Sequence, residues 1–235
     1  MIIQVSSHRR SGTHALIDLI RNNFSVQGDF FHLEDILDWS LERLNELPLI
    51  VKTHEPEPEK KLNLFIKQGR VTEEKAQDIK DMTVDVHAYR HPKDVLKSLY
   101  YFNIKGHEPV YQIPEGMAFL EFMKQEGAQD ASPSENRIQF WQRCIRSWVF
   151  NKSVVSVGYN AIVDGDESLK EMLSQKFDLI SIFHSRLDDK RIKRSTAIGR
   201  GTTKSMEGSV LWSEACESFY QKEIDMSLLR KLNLE

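Results

Sequence analysis

Apolar and polar positions along the chain switch between two periods, and the switches mark its elements. Ile2 to Val5 is a short apolar run that stops at Ser-Ser-His-Arg-Arg-Ser-Gly, after which Ala15, Leu16, Leu19 and Ile20 recur at helical spacing. That pattern predicts a strand, a polar loop and a helix. Leu33, Ile36, Leu37, Leu41 and Leu44 fall on one stripe, which predicts a helix over 33–47 ended by Pro48, and Leu49-Ile-Val follows as a brief strand. Residues 55–82 carry Pro56, Pro58 and a mixed Lys/Glu run, the composition of a solvated loop and helix. Val84 to Tyr89 alternates up to Arg90-His91, and Pro92 stands where a following helix places its first residue. The Gly-, Pro- and acid-rich stretch 103–136 reads as a mobile loop on the acceptor side, bearing one short helix around Met117–Met123. Ile138, Trp141, Ile145, Trp148 and Val149 share a helical face with the tryptophans in the core, and Val154, Val155 and Val157 form another strand.

Strands alternating with helices imply an α/β fold of three layers, a mainly parallel central sheet flanked by helices, with ligands beyond the carboxyl ends of its strands. At 235 residues and 40% hydrophobic content the chain can bury one large core, so a single domain over 1–235 is expected. A net charge of −3 gives no broad basic field of the kind duplex nucleic acid or an anionic membrane rewards, so any anion site must be local. The two cysteines, Cys144 and Cys216, suggest neither a disulfide framework nor a thiolate zinc site. No stretch approaches the length of a membrane span and the N-terminus lacks a signal-type apolar run, so a cytoplasmic protein is expected.

Three segments carry chemistry. The first strand ends in His8-Arg-Arg-Ser-Gly-Thr-His14, where small residues let backbone N–H groups converge on an anion at the positive end of the next helix. The triphosphate-binding pattern G-x-x-x-x-G-K-[ST] is absent, because Thr13 follows Gly12 where lysine would stand. Lys52 and His54, in Val-Lys-Thr-His, share one side of a strand by its period of two, a cation beside a base. In Arg90-His-Pro-Lys-Asp-Val-Leu-Lys-Ser98, an arginine at a strand end and a serine two turns into a helix can clamp one phosphate, while Lys93 and Asp94 read as solvated. Tyr100, Tyr101, Phe102 and Tyr111 could line a pocket, but helix-spaced aromatics are core residues more often.

Taken together, these segments resemble the sulfotransferases that use 3′-phosphoadenosine 5′-phosphosulfate (PAPS), whose cytosolic members show a P-K-S-G-T-T loop, a K-T-H strand end and an R-N-P-K-D-V-x-x-S-Y-Y-x-F segment in this order. The resemblance implies a P-loop-like sulfotransferase fold. It implies that Arg10, Ser11, Gly12, Thr13 and His14 hold the phosphosulfate end, that Lys52 stabilises the transferring group, and that His54 is the catalytic base. Arg90 and Ser98 match the 3′-phosphate clamp. Tyr159 matches the tyrosine beside the adenine, although Asn160-Ala161 departs from the usual Tyr-Glu-Asp. Arg200 and Gly201 match the loop that closes over the 3′-phosphate, without its first arginine. Arg10 in place of the loop lysine keeps the charge as a permanently protonated fork, which binds oxygens but does not donate a proton. The implied reaction moves a sulfuryl group from PAPS to the hydroxyl or amine of a small-molecule or carbohydrate acceptor, leaving adenosine 3′,5′-bisphosphate and requiring no metal. Two rival readings are a P-loop kinase of a small molecule and a non-catalytic module that binds 3′-phosphorylated nucleotides.

Overall fold

The computed structural model describes residues 1–106, 108–128, 131–180 and 212–235. Its strands are β1 Ile2–Ser7, β2 Phe30–Phe31, β3 Leu49–Thr53, β4 Thr83–Tyr89 and β5 Val155–Gly158. Its helices are α1 Thr13–Asn23, α2 Leu33–Ile36, α3 Leu41–Glu46, α4 Pro58–Lys67, α5 Glu73–Asp81, α6 Pro92–Ile104, α7 Phe119–Lys124, α8 Arg137–Val149, α9 Tyr159–Asp164, α10 Glu167–Phe177, α11 Glu214–Glu223 and α12 Met226–Lys231, with a 3-10 turn at Pro109–Tyr111. The described residues fall into two compact units, Met1–Tyr89 with 147–180, and Arg90–Arg146 with 212–235.

The first unit is built on an all-parallel sheet in the order β2-β3-β1-β4-β5, the expected α/β architecture. Every residue of the central β1 is buried, because a parallel strand covered on both faces must be apolar or internally bonded throughout. Alternation along the strands sorts its side chains. Ile3 and Val5 join Ile50, Val86 and Ala88 under Leu16, Ile17, Leu19 and Ile20 of α1. Ile2, Leu49 and Val51 face the other way, against Leu33, Ile36, Leu44, Leu62, Phe65 and Ile79 of the helices α2 to α5. That second face also carries a polar row: Gln4 Nε2 donates to Asp85 Oδ1 at 2.6 Å, and His87 stacks on Trp148 with ring centroids 6.0 Å apart.

The helix expected over 33–47 is instead two. Ser40 starts the second, its hydroxyl accepting from the Arg43 N–H at 3.3 Å, while His32 N–H donates to Asp35 at 2.7 Å to start the first. The break turns Leu41 out of the stripe to 42% exposure. Residues 55–82 hold two helices rather than a solvated loop and helix. Leu62, Phe65, Ala76 and Ile79 close the second sheet face, and Thr72 caps α5 through Lys75 N–H.

In the second unit Tyr100 is a core residue: its hydroxyl donates to the Met117 carbonyl at 2.5 Å, and its ring meets Phe119 and Phe122 edge-on. Lys93, expected to be solvated, is instead paired with Glu217 at 2.7 Å, with its ammonium near the rings of Trp212 and Tyr220. Hydrogen bonds from Gln221, Lys93 and Trp212 hold the Glu217 carboxyl at about 2. This salt bridge ties α6 to α11 across a long sequence gap, which no local pattern could announce. Trp141 and Trp148 are buried, as the helical face of α8 requires.

Two stability outcomes follow. Leu16→Ala, emptying a fully buried site under β1, should cost about 3 kcal/mol in a urea unfolding titration. Burial, with the neighbouring His8, depresses the pKa of His87 to about 3. Below pH 6.5 the unfolded chain takes up a proton there that the folded chain refuses, so stability falls with falling pH. Between pH 6.5 and 5 the wild type should lose ~2 kcal/mol that a His87→Phe variant does not lose.

Candidate active site

The carboxyl edge of β1 leads directly into α1 through the loop His8–Gly12. The turn is tight: Arg10 adopts φ 65° and Gly12 φ 109°, both left-handed. Only glycine fits at position 12 without strain, and a Cβ there would lie 2.6 Å from Cδ2 of Tyr159. Gly12 therefore lets the ring of Tyr159, the first residue after β5, lie against the loop. The start of α1 has neither a side-chain cap nor an acidic residue in its first turn, so its backbone N–H groups and positive end remain directed at the loop. The Ser11 hydroxyl is buried and has no hydrogen-bond partner among the described residues. Ser7 and Thr13 hydroxyls bond each other across the loop's base. An uncapped helix start with an unused buried hydroxyl is the donor set that a phosphate or sulfate oxygen satisfies.

Lys52 and His54 arrive beside this loop because β3 pairs with β1 in parallel, Val5 opposite Lys52 and Ser6 opposite Thr53. Lys52 Nζ lies 3.1 Å from His14 Nε2 and 5.1 Å from the centre of the Phe30 ring, which also meets His14 edge-on at 5.3 Å. Burial first, then the charges of Lys52 and Arg10, depress the pKa of His14 to about 4. Its imidazole is neutral near pH 7 and Nε2 accepts the ammonium's hydrogen bond.

His54 is held differently. Its Nδ1 lies 3.0 Å from the Ser7 carbonyl oxygen, and a carbonyl can only accept, so Nδ1 carries the hydrogen and Nε2 keeps the lone pair. Burial and then the charge of Lys52 hold its pKa well below the usual imidazole value, against a smaller upward push from the Ser7 bond. The unit thus presents a proton acceptor, an ammonium and an anion-ready helix start at one sheet edge.

Arg10, Ser11, Gly12, Thr13, His14, Lys52, His54 and Tyr159 all lie in this first unit. The His14 side chain meets Lys52, a pairing the motif did not announce. In the second unit, Arg90 Nε stands 3.6 Å from Asp94 Oδ2, and Ser98 is buried on α6. Arg200 and Gly201 lie outside the described residues. Sequence reasoning missed Ser7, whose carbonyl orients His54, and Phe30, whose two-residue strand is too short to show a period. Among the described residues no three His, Cys, Asp or Glu side chains gather as a metal would require, and no helix is long and apolar enough to cross a membrane.

The loop geometry has a measurable consequence. Gly12→Ala should lower stability by about 1–3 kcal/mol, and adding Tyr159→Ala should recover only the steric part of the loss, because the left-handed φ still strains an alanine. Urea unfolding of the single and double variants reads both quantities.

Comparison with protein-family models gives no match, and comparison with curated proteins gives none either. Among solved structures, mouse sulfotransferase SULT7A1 complexed with PAP aligns over 74% of this chain at 17% identity with a TM-score of 0.49. The alignment covers 57% of that structure's chain, so this chain spans little more than half its length.

Proposed function

We propose that the protein is a sulfotransferase that moves a sulfuryl group from PAPS to an acceptor hydroxyl or amine. The observation that carries the reading is the pairing of two differently held groups at one sheet edge. The Ser7 carbonyl accepts from His54 Nδ1 and so leaves the lone pair on Nε2, and Lys52 stands close enough to depress that imidazole's pKa. A neutral imidazole next to a cation is suited to take a proton while negative charge builds nearby.

In this proposal the helix start, the Ser11 hydroxyl and Arg10 receive the phosphosulfate end of the donor. His54 Nε2 accepts the acceptor's proton as the acceptor oxygen bonds to sulfur and the bridging sulfur–oxygen bond breaks. Lys52 stabilises the charge that moves onto the leaving phosphate oxygen, and adenosine 3′,5′-bisphosphate departs. Proton and sulfuryl group are both accounted for, with His54 returning its proton to water. Arrival of the anionic donor also neutralises the field of Lys52 and Arg9, which raises the basicity of His54 when a base is needed. Assignment of the 3′-phosphate to Arg90, Ser98, Arg200 and Gly201, and of the adenine to Tyr159, rests on the motif resemblance.

His54→Ala should lower turnover ~10²–10⁴-fold while leaving the Kd for adenosine 3′,5′-bisphosphate within about 3-fold. Sulfated product measured over a panel of phenols, alcohols, amines and sugars checks the first value, and calorimetry the second. A wild-type rate in the variant would remove the base role. Calorimetry should also show adenosine 3′,5′-bisphosphate binding at least ~10-fold more tightly than ATP or AMP, and Arg90→Ala should erase most of that preference. Tight magnesium-dependent binding of ATP would instead favour a kinase.

A further inference from the structure

The first unit contains a concavity on the sheet face away from α1. It measures about 620 Å³, within the range of small-molecule sites, and none of Arg10, Lys52 or His54 lines it. Gln4, Val51 and Asp85 form its floor, Glu59 and Leu62 of α4 one wall, and Trp148 another.

These walls select a ligand class. Asp85 Oδ1 accepts from Gln4 at 2.6 Å, and an ionised carboxylate keeps further acceptor positions beyond that one bond. Burial raises the pKa of Asp85, and the charge of Glu59 pushes the same way, opposed by the Gln4 hydrogen bond and the charge of Lys176. The half-buried carboxylate is partly desolvated and gains from a further cation brought to it. At the rim Lys60 is already paired with Glu57 at 2.5 Å, which leaves Glu59 and Asp85 against Lys80 among the lining charges. Trp148, stacked by His87, lines the cavity together with Val51 and Leu62, each showing only a small part of its surface, so the apolar lining suits a small carbon body.

We propose that this cavity binds a small organic ammonium compound, its N–H groups on Asp85 and its apolar body between Trp148, Val51 and Leu62. An anion would meet two carboxylates, and a neutral alcohol would bring no positive charge to the half-buried Asp85 carboxylate. The assignment is independent of the sulfuryl-transfer reading and can fail without it.

Calorimetry on the full chain with three probes of similar shape tests it: 2-phenylethylammonium, 3-phenylpropan-1-ol and 3-phenylpropanoate. The ammonium should bind at least about 10-fold more tightly than the alcohol, with the carboxylate weakest. Asp85→Asn should cost the ammonium at least about 10-fold and leave the alcohol unchanged, and Leu62→Trp should displace all three by filling the hollow. Thermal melts report whether each variant folds, and the three-probe series on the wild type decides the matter if one does not. Equal binding of ammonium and alcohol, no ammonium binding at millimolar concentration, or an unchanged affinity in a folded Asp85→Asn variant would each overturn the proposal.

Discussion

Parallel pairing of β1 with β3 on one side and β4 on the other is the constraint on which the first unit depends. Parallel strands all deliver their carboxyl ends to one edge, and the register here sets Ser6 opposite Thr53 and Ser7 opposite Ala88. Where that ladder runs out, the Ser7 carbonyl is available to His54, and the chain turns at once into α1. A slip of one residue would send Lys52 to the opposite face and replace it with Val51 or Thr53, because side chains alternate with period two. The candidate chemistry is thus a by-product of register, secured by the apolar residues Ile3, Val5, Ile50 and Val86 that bury the α1 side.

The carboxyl edge of β1 sets cations beside neutral imidazoles. Two imidazoles, His14 and His54, are kept neutral by burial and by neighbouring cations, and a helix start without an acidic residue adds further positive potential. Strain is concentrated in the same loop, where Arg10 is left-handed and Gly12 admits a tyrosine ring that any side chain would displace. Left-handed backbone of this kind is a recurrent property of ligand-binding loops.

The opposite sheet face follows other rules. Around Ile2, Leu49 and Val51 it is closed by α2 to α5, yet Gln4, Asp85 and His87 put a row of polar groups where a parallel sheet is ordinarily apolar. Burying Asp85 raises its proton affinity and burying His87 lowers its own, two opposite responses to the same loss of water. Such a row weakens the core locally, and the hollow beside it is the place where a ligand could recover that loss.

The order of residues alone specifies the elements with strong local signals. The apolar runs of β1, β3, β4 and β5, the helical stripe of α1, proline at the start of α6 and the buried tryptophans of α8 follow from periodicity and backbone chemistry within a few residues. The polar turn after β1 was legible for the same reason, whereas β3 ends at Thr53, so strand parity does not extend to His54. Tertiary structure decided whatever depends on partners far apart in the chain: Phe30 against Lys52, Ser7 orienting His54, Lys93 paired with Glu217, and Tyr159 lying on Gly12. It also decided the break at Ser40 and the second sheet face. Local sequence carries the period of an element, but neither the register between elements nor the burial that sets each group's charge, and both of those arise only when the chain has closed on itself.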